Sequence, residues 1–210
     1  RLFVRLVKLS WLDDPANQNI TESIDPFLRV DNMEYFALGI EIYTELAQDM
    51  QPATGASISR YRRTALSFRD SALPKMFNTA LQALDKLKSG QFNAPTGGHS
   101  PGGAPQVSPD VLRMKLVKNV LKLAQNCLSF DFMGTIPDET SDDQPTIMVP
   151  HSWNMLRDDN VPQLFFFVYG ECCKNNWVDS ADMCLQNLVL LASLRRSFFQ
   201  KDDVRMNSLS

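Results

Sequence analysis

The sequence predicts an all-α fold, an α-solenoid of HEAT-like helix pairs. Apolar residues recur at three- and four-residue spacing along most of the chain, and no stretch longer than a few residues alternates with the period of two of a half-buried strand. Three long segments each carry two adjacent apolar rows. Such a helix needs more than one neighbour, as it has when it lies between a partner and the next repeat. A compact helical bundle would cover the same faces and stays open at this level. The 210 residues, 44% of them hydrophobic, suffice for one large domain or two small ones with a folded core.

In chain order, Leu2, Leu6 and Leu9, flanked by Phe3 and Val7, predict a first helix with Arg1, Arg5 and Lys8 on the opposite face. Asp13, Asp14 and Pro15 end it, and a short helix follows near Ile20 to Leu28. From Met33 to Met50, Tyr35, Leu38, Ile42 and Leu46 make one apolar row, and Phe36, Ile40, Tyr43 and Ala47 make another; Glu34, Glu41, Glu45 and Gln48 hold the remaining face. The basic cluster Arg60, Arg62 and Arg63 reads as a solvated loop. Two further long helices are expected at Leu112–Leu128, with Lys115, Lys118, Lys122 and Gln125 as its wet stripe, and at Ala181–Phe198. Between the long helices lie their expected partners, Pro74–Lys88 and Val161–Cys173. The order is a helix, three helix pairs and loops, so residues 1–210 read as one solenoid fragment.

Two inserts break any clean repeat period. Residues 89–109 are rich in Gly and Pro and predict a flexible surface loop; residues 130–152 hold Asp131, Asp138, Glu139, Asp142 and Asp143 without one Lys or Arg. The chain opens at Arg1, already inside an amphipathic pattern, and is expected to be part of something longer.

Charge and composition narrow the function classes. Twenty-one Lys plus Arg against 24 Asp plus Glu leave a formal charge of -3, so no chain-wide cationic field favours direct nucleic-acid binding. The densest apolar run, Leu164 to Tyr169, is far shorter than the roughly 20 residues of a membrane span, and membrane insertion is not expected. Cys127 and Cys184 sit in helix-like apolar stretches, and Cys172 and Cys173 are adjacent; all four read as reduced thiols in a soluble intracellular protein. The Asn19-Ile20-Thr21 sequon is then a chance match.

Catalytic and metal chemistry find little support. The two histidines, His99 and His151, stand at no ligand spacing from other donors, and a zinc site takes about four. The Cys172-Cys173 pair has no base nearby in sequence, although folding could bring His151 to it. The glycine pairs Gly97-Gly98 and Gly102-Gly103 lack the following Lys-Ser or Lys-Thr of a phosphate loop. No cofactor and no enzyme activity are expected. The best candidates are protein contacts: Asp138, Glu139, Asp142 and Asp143, as a mobile anionic strap for a basic partner, with Thr140 and Ser141 in an acid-directed phosphorylation pattern. A solvated, decorative loop is the competing reading of the strap. Arg195 and Arg196 are the second candidate pair, either contacting an acidic partner or complementing the carbonyls at a helix C-terminus.

Five blocks carry a resemblance: Ser67-Phe68-Arg69-Asp70-Ser71, Asn126 through Thr135 (NCLSFDFMGT), Asp138-Glu139-Thr140-Ser141-Asp142-Asp143, Pro150-His151-Ser152-Trp153, and Ala192 through Phe199 (ASLRRSFF). In order and approximate spacing, from about Leu2 to Lys201, they resemble the exportin-7 family of Ran-binding exportins in the importin-β superfamily. Met133, Pro137, His151 and a longer Gly/Pro insert depart from the usual pattern. The resemblance implies early HEAT repeats of a nuclear export receptor that binds cargo proteins together with Ran-GTP and contacts Phe-Gly nucleoporins. It also implies shuttling between nucleus and cytoplasm, without catalytic residues. A generic HEAT or armadillo scaffold is the alternative. A small helical enzyme would require His151, Cys172 and Cys173 to meet in space.

Overall fold

A helix that is apolar on two sides needs neighbours on both, and the long helices of this chain pack in two layers, although Tyr35 and Leu38, in one of the two rows expected from Met33 to Met50, are 57% and 43% exposed. The computed structural model describes residues 1–28, 32–51, 59–91, 108–130, 132 and 149–207. Helices α4 (Met33–Asp49), α7 (Pro109–Leu128) and α9 (Val178–Asn207) lie side by side with α7 in the middle, and α1 (Leu2–Ser10) continues this layer beyond α4. The second layer holds α6 (Leu73–Lys88) beside α8 (Asn160–Lys174), with α5 (Ser59–Ser71) against α6. Across the layers α6 packs on α7 and α8 on α9. Short helices α2 (Pro15–Gln18) and α3 (Ile20–Ile24) and a 3-10 turn (Asp25–Phe27) link α1 to α4, and a 3-10 segment (His151–Arg157) leads into α8. Among the described residues there is no strand. This one-dimensional order, each long helix packed on the next in its layer, is that of an all-α solenoid.

The layer α4–α7–α9 is held in register by repeated polar contacts. Lys118 of α7 pairs with Asp179 of α9 at 2.7 Å, and Gln125 donates to Gln186, each contact linking residues 61 apart. Buried between them, the Asn187 Nδ2 donates to the Leu121 carbonyl of α7 at 3.1 Å and to its own helix at Met183 O, 2.8 Å. One step back along the layer, the Asn126 Nδ2 of α7 donates to the Thr44 carbonyl of α4, also at 3.1 Å. An amide that reaches the main chain of the previous helix fixes both the sliding and the rotation of the pair.

Aromatic residues tie the α1–α5 corner to the second layer. Trp11 packs edge-on against Phe68 at 5.3 Å, and Phe68 meets Phe130 at 6.0 Å. Trp153, fully buried, packs against Phe77 of α6 at 5.6 Å and edge-on against Phe132 at 4.9 Å. Both indoles place their N–H groups: the Trp11 Nε1 donates to Ser67 Oγ at 3.1 Å and the Trp153 Nε1 to the Arg69 carbonyl at 3.4 Å. Phe132 and Trp153, far apart in sequence, are thereby in ring contact.

Several expectations needed correction. The buried line of α1 is Val4 and Val7, extended by Trp11, while Leu2, Leu6 and Leu9 are 74%, 56% and 59% exposed. The polar face meets α4 instead, through Arg1–Glu45 at 3.4 Å and Lys8 to Asp49. Apolar residues cover a broad arc of α1, from Leu9 round to Val4, and periodicity pointed to its Leu2, Leu6 and Leu9 side; the docked side is instead the Val4 and Val7 edge next to the Arg1 and Lys8 stripe, set by Trp11 and these ion pairs. Arg60, Arg62 and Arg63 are not in a loop but open α5, where Arg60 pairs with Asp13 and donates to the Leu9 carbonyl. The polar first turn hid this helix, whose packed side is Thr64, Ala65, Phe68 and Arg69. Finally, α9 runs to Asn207, past the apolar rows that end at Phe198.

The α8–α9 turn depends on Asn176, whose φ is 56°. Its left-handed conformation lets the Trp177 N–H reach the Cys172 carbonyl at 2.8 Å and the Asn176 N–H reach the Cys173 carbonyl at 3.2 Å, closing the last carbonyls of α8. Asn176→Val is expected to lower stability by about 1–2 kcal/mol, since a branched residue is strained there, and Asn176→Gly to be neutral or better. Urea unfolding followed by circular dichroism checks the pair; equal midpoints for both variants would count against the strain argument. In α4, Gly39 makes a close approach: a Cβ there would stand 2.7 Å from the Leu28 Cδ2, so a larger residue would push the Leu28 side chain aside.

Candidate functional site

Groups able to do chemistry do not converge among the described residues. His151 opens the 3-10 segment before α8, its Nε2 3.1 Å from the Asn154 amide, whereas Cys172 and Cys173 lie at the far end of α8. Twelve helical residues, about 18 Å, separate Asn160 from Cys172. Burial pushes the Cys127 thiol well above its ordinary range, which leaves it an inert core residue. Cys172 and Cys184, both fully buried, hydrogen-bond each other across the α8–α9 hairpin; that bond and burial hold Cys184 high, and the bond holds Cys172 lower than usual. No group of three or more His, Cys, Asp or Glu among the described residues could hold a metal ion. No helix among them is long and apolar enough to cross a membrane.

Asp138, Glu139, Asp142 and Asp143 lie outside the described residues, together with Thr140, Ser141 and His99. What is described is how their segment is held. Phe130 and Phe132 are buried at its start, Trp153 and Leu156 at its end, so the chain leaves and re-enters the core at one place beside α6.

Arg195 is described and Arg196 is described only as backbone of α9. Arg195 stands twelve residues before the end of α9, so the reading of it as a C-terminal complement to helix carbonyls does not hold. Its guanidinium, only 15% exposed, pairs with Asp159 and donates to the Asp158 carbonyl at 3.1 Å, binding α9 to the N-terminus of α8. Sequence reasoning found this residue and gave it a different neighbour.

A group of cations that the sequence did not single out is visible only in the fold. Lys86 and Lys88 end α6 and Arg113 lies in the second turn of α7. Lys86 Nζ sits 5.8 Å from the centroid of Phe36, Lys88 Nζ 5.9 Å from that of Phe167, and the Arg113 guanidinium 5.9 Å from that of Trp177. The partners come from three other elements, so no local spacing could have signalled the arrangement. On the outer side of the same layer, the Lys118 ammonium holds the Asp179 carboxyl below the usual carboxylate range.

Comparison with known proteins supplies the relatives. No family model matches the chain, and no solved structure matches it. Exportin-7-A of Xenopus laevis is 32% identical over 205 residues, covering 95% of this chain and 17% of the relative. Ran-binding protein 16 of Drosophila melanogaster is 29% identical over 211 residues, 96% of this chain and 18% of the relative. Ran-binding protein 17 of Homo sapiens is 28% identical over 209 residues, with 97% and 18% covered. The chain spans about a sixth of the length of the curated relatives it matches, and the match runs through inserts and helices alike. Almost end to end, this two-layer stack of helices is similar to one segment of exportin-7 and of the Ran-binding proteins 16 and 17.

Proposed function

We propose that this chain is a segment of a nuclear transport receptor that takes up cargo together with GTP-bound Ran and shuttles between nucleus and cytoplasm through contacts with Phe-Gly nucleoporins. The observation that carries the reading is the similarity, along 95% to 97% of the chain, to proteins named for export and for Ran binding. The stacked layers are mechanically suited to it. Each helix leans on its layer neighbours, so a small rotation at each joint adds up to a change of curvature. Cargo and Ran that favour the same curvature lower each other's binding free energy by the same amount. The protein then acts by binding alone, with nucleotide hydrolysis carried out on Ran.

Within this segment the acidic residues Asp138, Glu139, Asp142 and Asp143 are the proposed contacts for a basic partner surface, and Arg196 a further one. Arg195 would reach a partner only by leaving Asp159. The test is a pull-down with the full-length protein and Ran loaded with a non-hydrolysable GTP analogue or with GDP, with and without nuclear extract. Retention of the GTP form is expected to exceed the GDP form by about tenfold or more, a coupling of about 1.4 kcal/mol, and to rise with cargo. Asp142→Lys with Asp143→Lys should weaken cargo capture, more so at low salt. Equal retention of both nucleotide forms would remove the transport reading and leave a helical-repeat scaffold.

A further inference from the structure

The α8–α9 hairpin carries three of the four cysteines of the chain, and the fold sorts them. Cys172, in the last turn of α8, and Cys184, in the second turn of α9, are fully buried where the two helices pack, and Cys173 is exposed. The turn that joins the helices is closed on Cys172 itself, whose carbonyl accepts from the Trp177 N–H at 2.8 Å. Across the hairpin the two buried thiols hydrogen-bond each other. Any pair of small apolar residues would fill this space; two thiols in contact add a bond that can be made and broken.

Cys172 also lines a recess of about 10 Å³, room for one water, together with Arg113, Glu171 and Trp177. The Arg113 Nε is buried and has no acceptor among the described residues, while Glu171 is held by Lys174 at 2.8 Å. That free donor calls for an acceptor, and the recess that Arg113 lines is where a small oxygen-bearing molecule fits. The two thiols have different roles to play toward it. The bond from Cys184 holds Cys172 lower than usual, and the same bond, with burial, holds Cys184 high, so Cys172 becomes the thiolate and Cys184 keeps its proton. No third ligand joins them to hold a metal ion among the described residues, which leaves the chemistry of a thiol pair.

We propose that Cys172 and Cys184 are a reversible dithiol–disulfide pair, oxidised by hydrogen peroxide that enters the recess beside Cys172. The Cys172 thiolate attacks one peroxide oxygen, the O–O bond breaks, and the departing hydroxide takes up a proton to become water. The Cys184 sulfur then attacks the sulfur of the resulting sulfenic acid; the S–S bond forms, the S–O bond breaks, and hydroxide leaves with the Cys184 proton as a second water. One peroxide gains two electrons and the two thiols lose them. A dithiol reductant reverses the change by thiol–disulfide exchange. In the oxidised form α8 and α9 are tied covalently close to their turn, and the joint between them can no longer rotate. The inference does not rest on the transport reading, and its test needs no Ran.

The test is peptide mapping of the full-length protein after reduction, exposure to hydrogen peroxide, capping with iodoacetamide and digestion with trypsin. Lys174 lies between the two thiols, so the disulfide joins residues 158–174 to residues 175–195, and dithiothreitol parts them. The joined species is expected in the parent and in Cys173→Ser, and its loss in Cys172→Ala and in Cys184→Ala. Cumene hydroperoxide, too large for the recess, should form it about tenfold more slowly than hydrogen peroxide, each rate taken relative to that with glutathione. No joined species, one that Cys173→Ser abolishes, one that forms only after unfolding in urea, or equal relative rates for the two peroxides would overturn the proposal. Should an alanine variant melt early, fragmentation of the parent's joined species between Cys172 and Cys173 decides which thiol carries the bond.

Discussion

Trp153→Ala should remove about 3–5 kcal/mol of stability, enough to leave this part of the stack largely unfolded at moderate urea concentration. The indole is fully buried, packs on Phe77 and Phe132, and donates to the Arg69 carbonyl. Truncation opens a cavity among three elements that can close on it only in part, since α6, the α5 end and the 3-10 segment are each held elsewhere. Trp153→Phe keeps most of the apolar contact and loses the N–H donor, so it should lose about 1–2 kcal/mol. Urea unfolding of the two variants beside the parent measures both. A loss below about 1 kcal/mol for the alanine variant would mean that the aromatic cluster fills space without holding the elements together.

The second large effect is expected from Asn187→Asp. The Asn187 side chain is fully enclosed between α9 and α7, and its amide nitrogen serves two carbonyls, Leu121 and Met183. The amide oxygen already lacks a partner. An aspartate would turn the donor into a second acceptor facing those carbonyls, and as an anion it would be buried without a counter-charge, at a loss of about 3–5 kcal/mol near neutral pH. Burial raises the folded-state pKa of such a carboxyl above its unfolded value of about 3.9. The folded state then keeps its proton longer than the unfolded one, so the loss grows as pH rises from the unfolded pKa to the folded pKa and is constant above it. Below about pH 4 the introduced carboxyl is protonated and can donate to one carbonyl, and the variant should approach Asn187→Leu in stability. A pH-independent difference between the aspartate variant and the parent would contradict the buried-charge argument.

The long helices were legible from sequence because burial imposes apolar rows: both rows of α7 are buried from Leu116 onward, and in α4 the row Phe36, Ile40, Tyr43 and Ala47 is buried while Tyr35 and Leu38 of the other row are exposed. Helix α5 was not, because its first turn is Ser59 to Arg63 and its packed side is short and partly polar. The orientation of α1 was not either: its apolar arc is broad, and the docked edge is decided by Trp11 and by Glu45 and Asp49 of α4, which lie far away in sequence. The same holds for the contacts. Arg195 stood out as part of a basic pair, but its partner Asp159 is 36 residues away. The ring contacts of Lys86, Lys88 and Arg113 carried no local signal, since the rings belong to α4, α8 and the α8–α9 turn. Family resemblance, by contrast, was readable from collinear blocks such as Ser67–Ser71 and Asn126–Thr135, because homology is written in order and spacing.

The ring contact between Phe132 and Trp153 brings together the two ends of the segment between them, at a mouth that belongs to the core. Lengthening a connection with fixed ends changes its closure free energy only slowly, by about 0.6 kcal/mol for each doubling. The helices on either side therefore do not register how many residues pass between the two rings or what those residues are. Changes in the length or charge of that stretch are therefore expected to leave α7 and α8 in their places with almost no effect on folding.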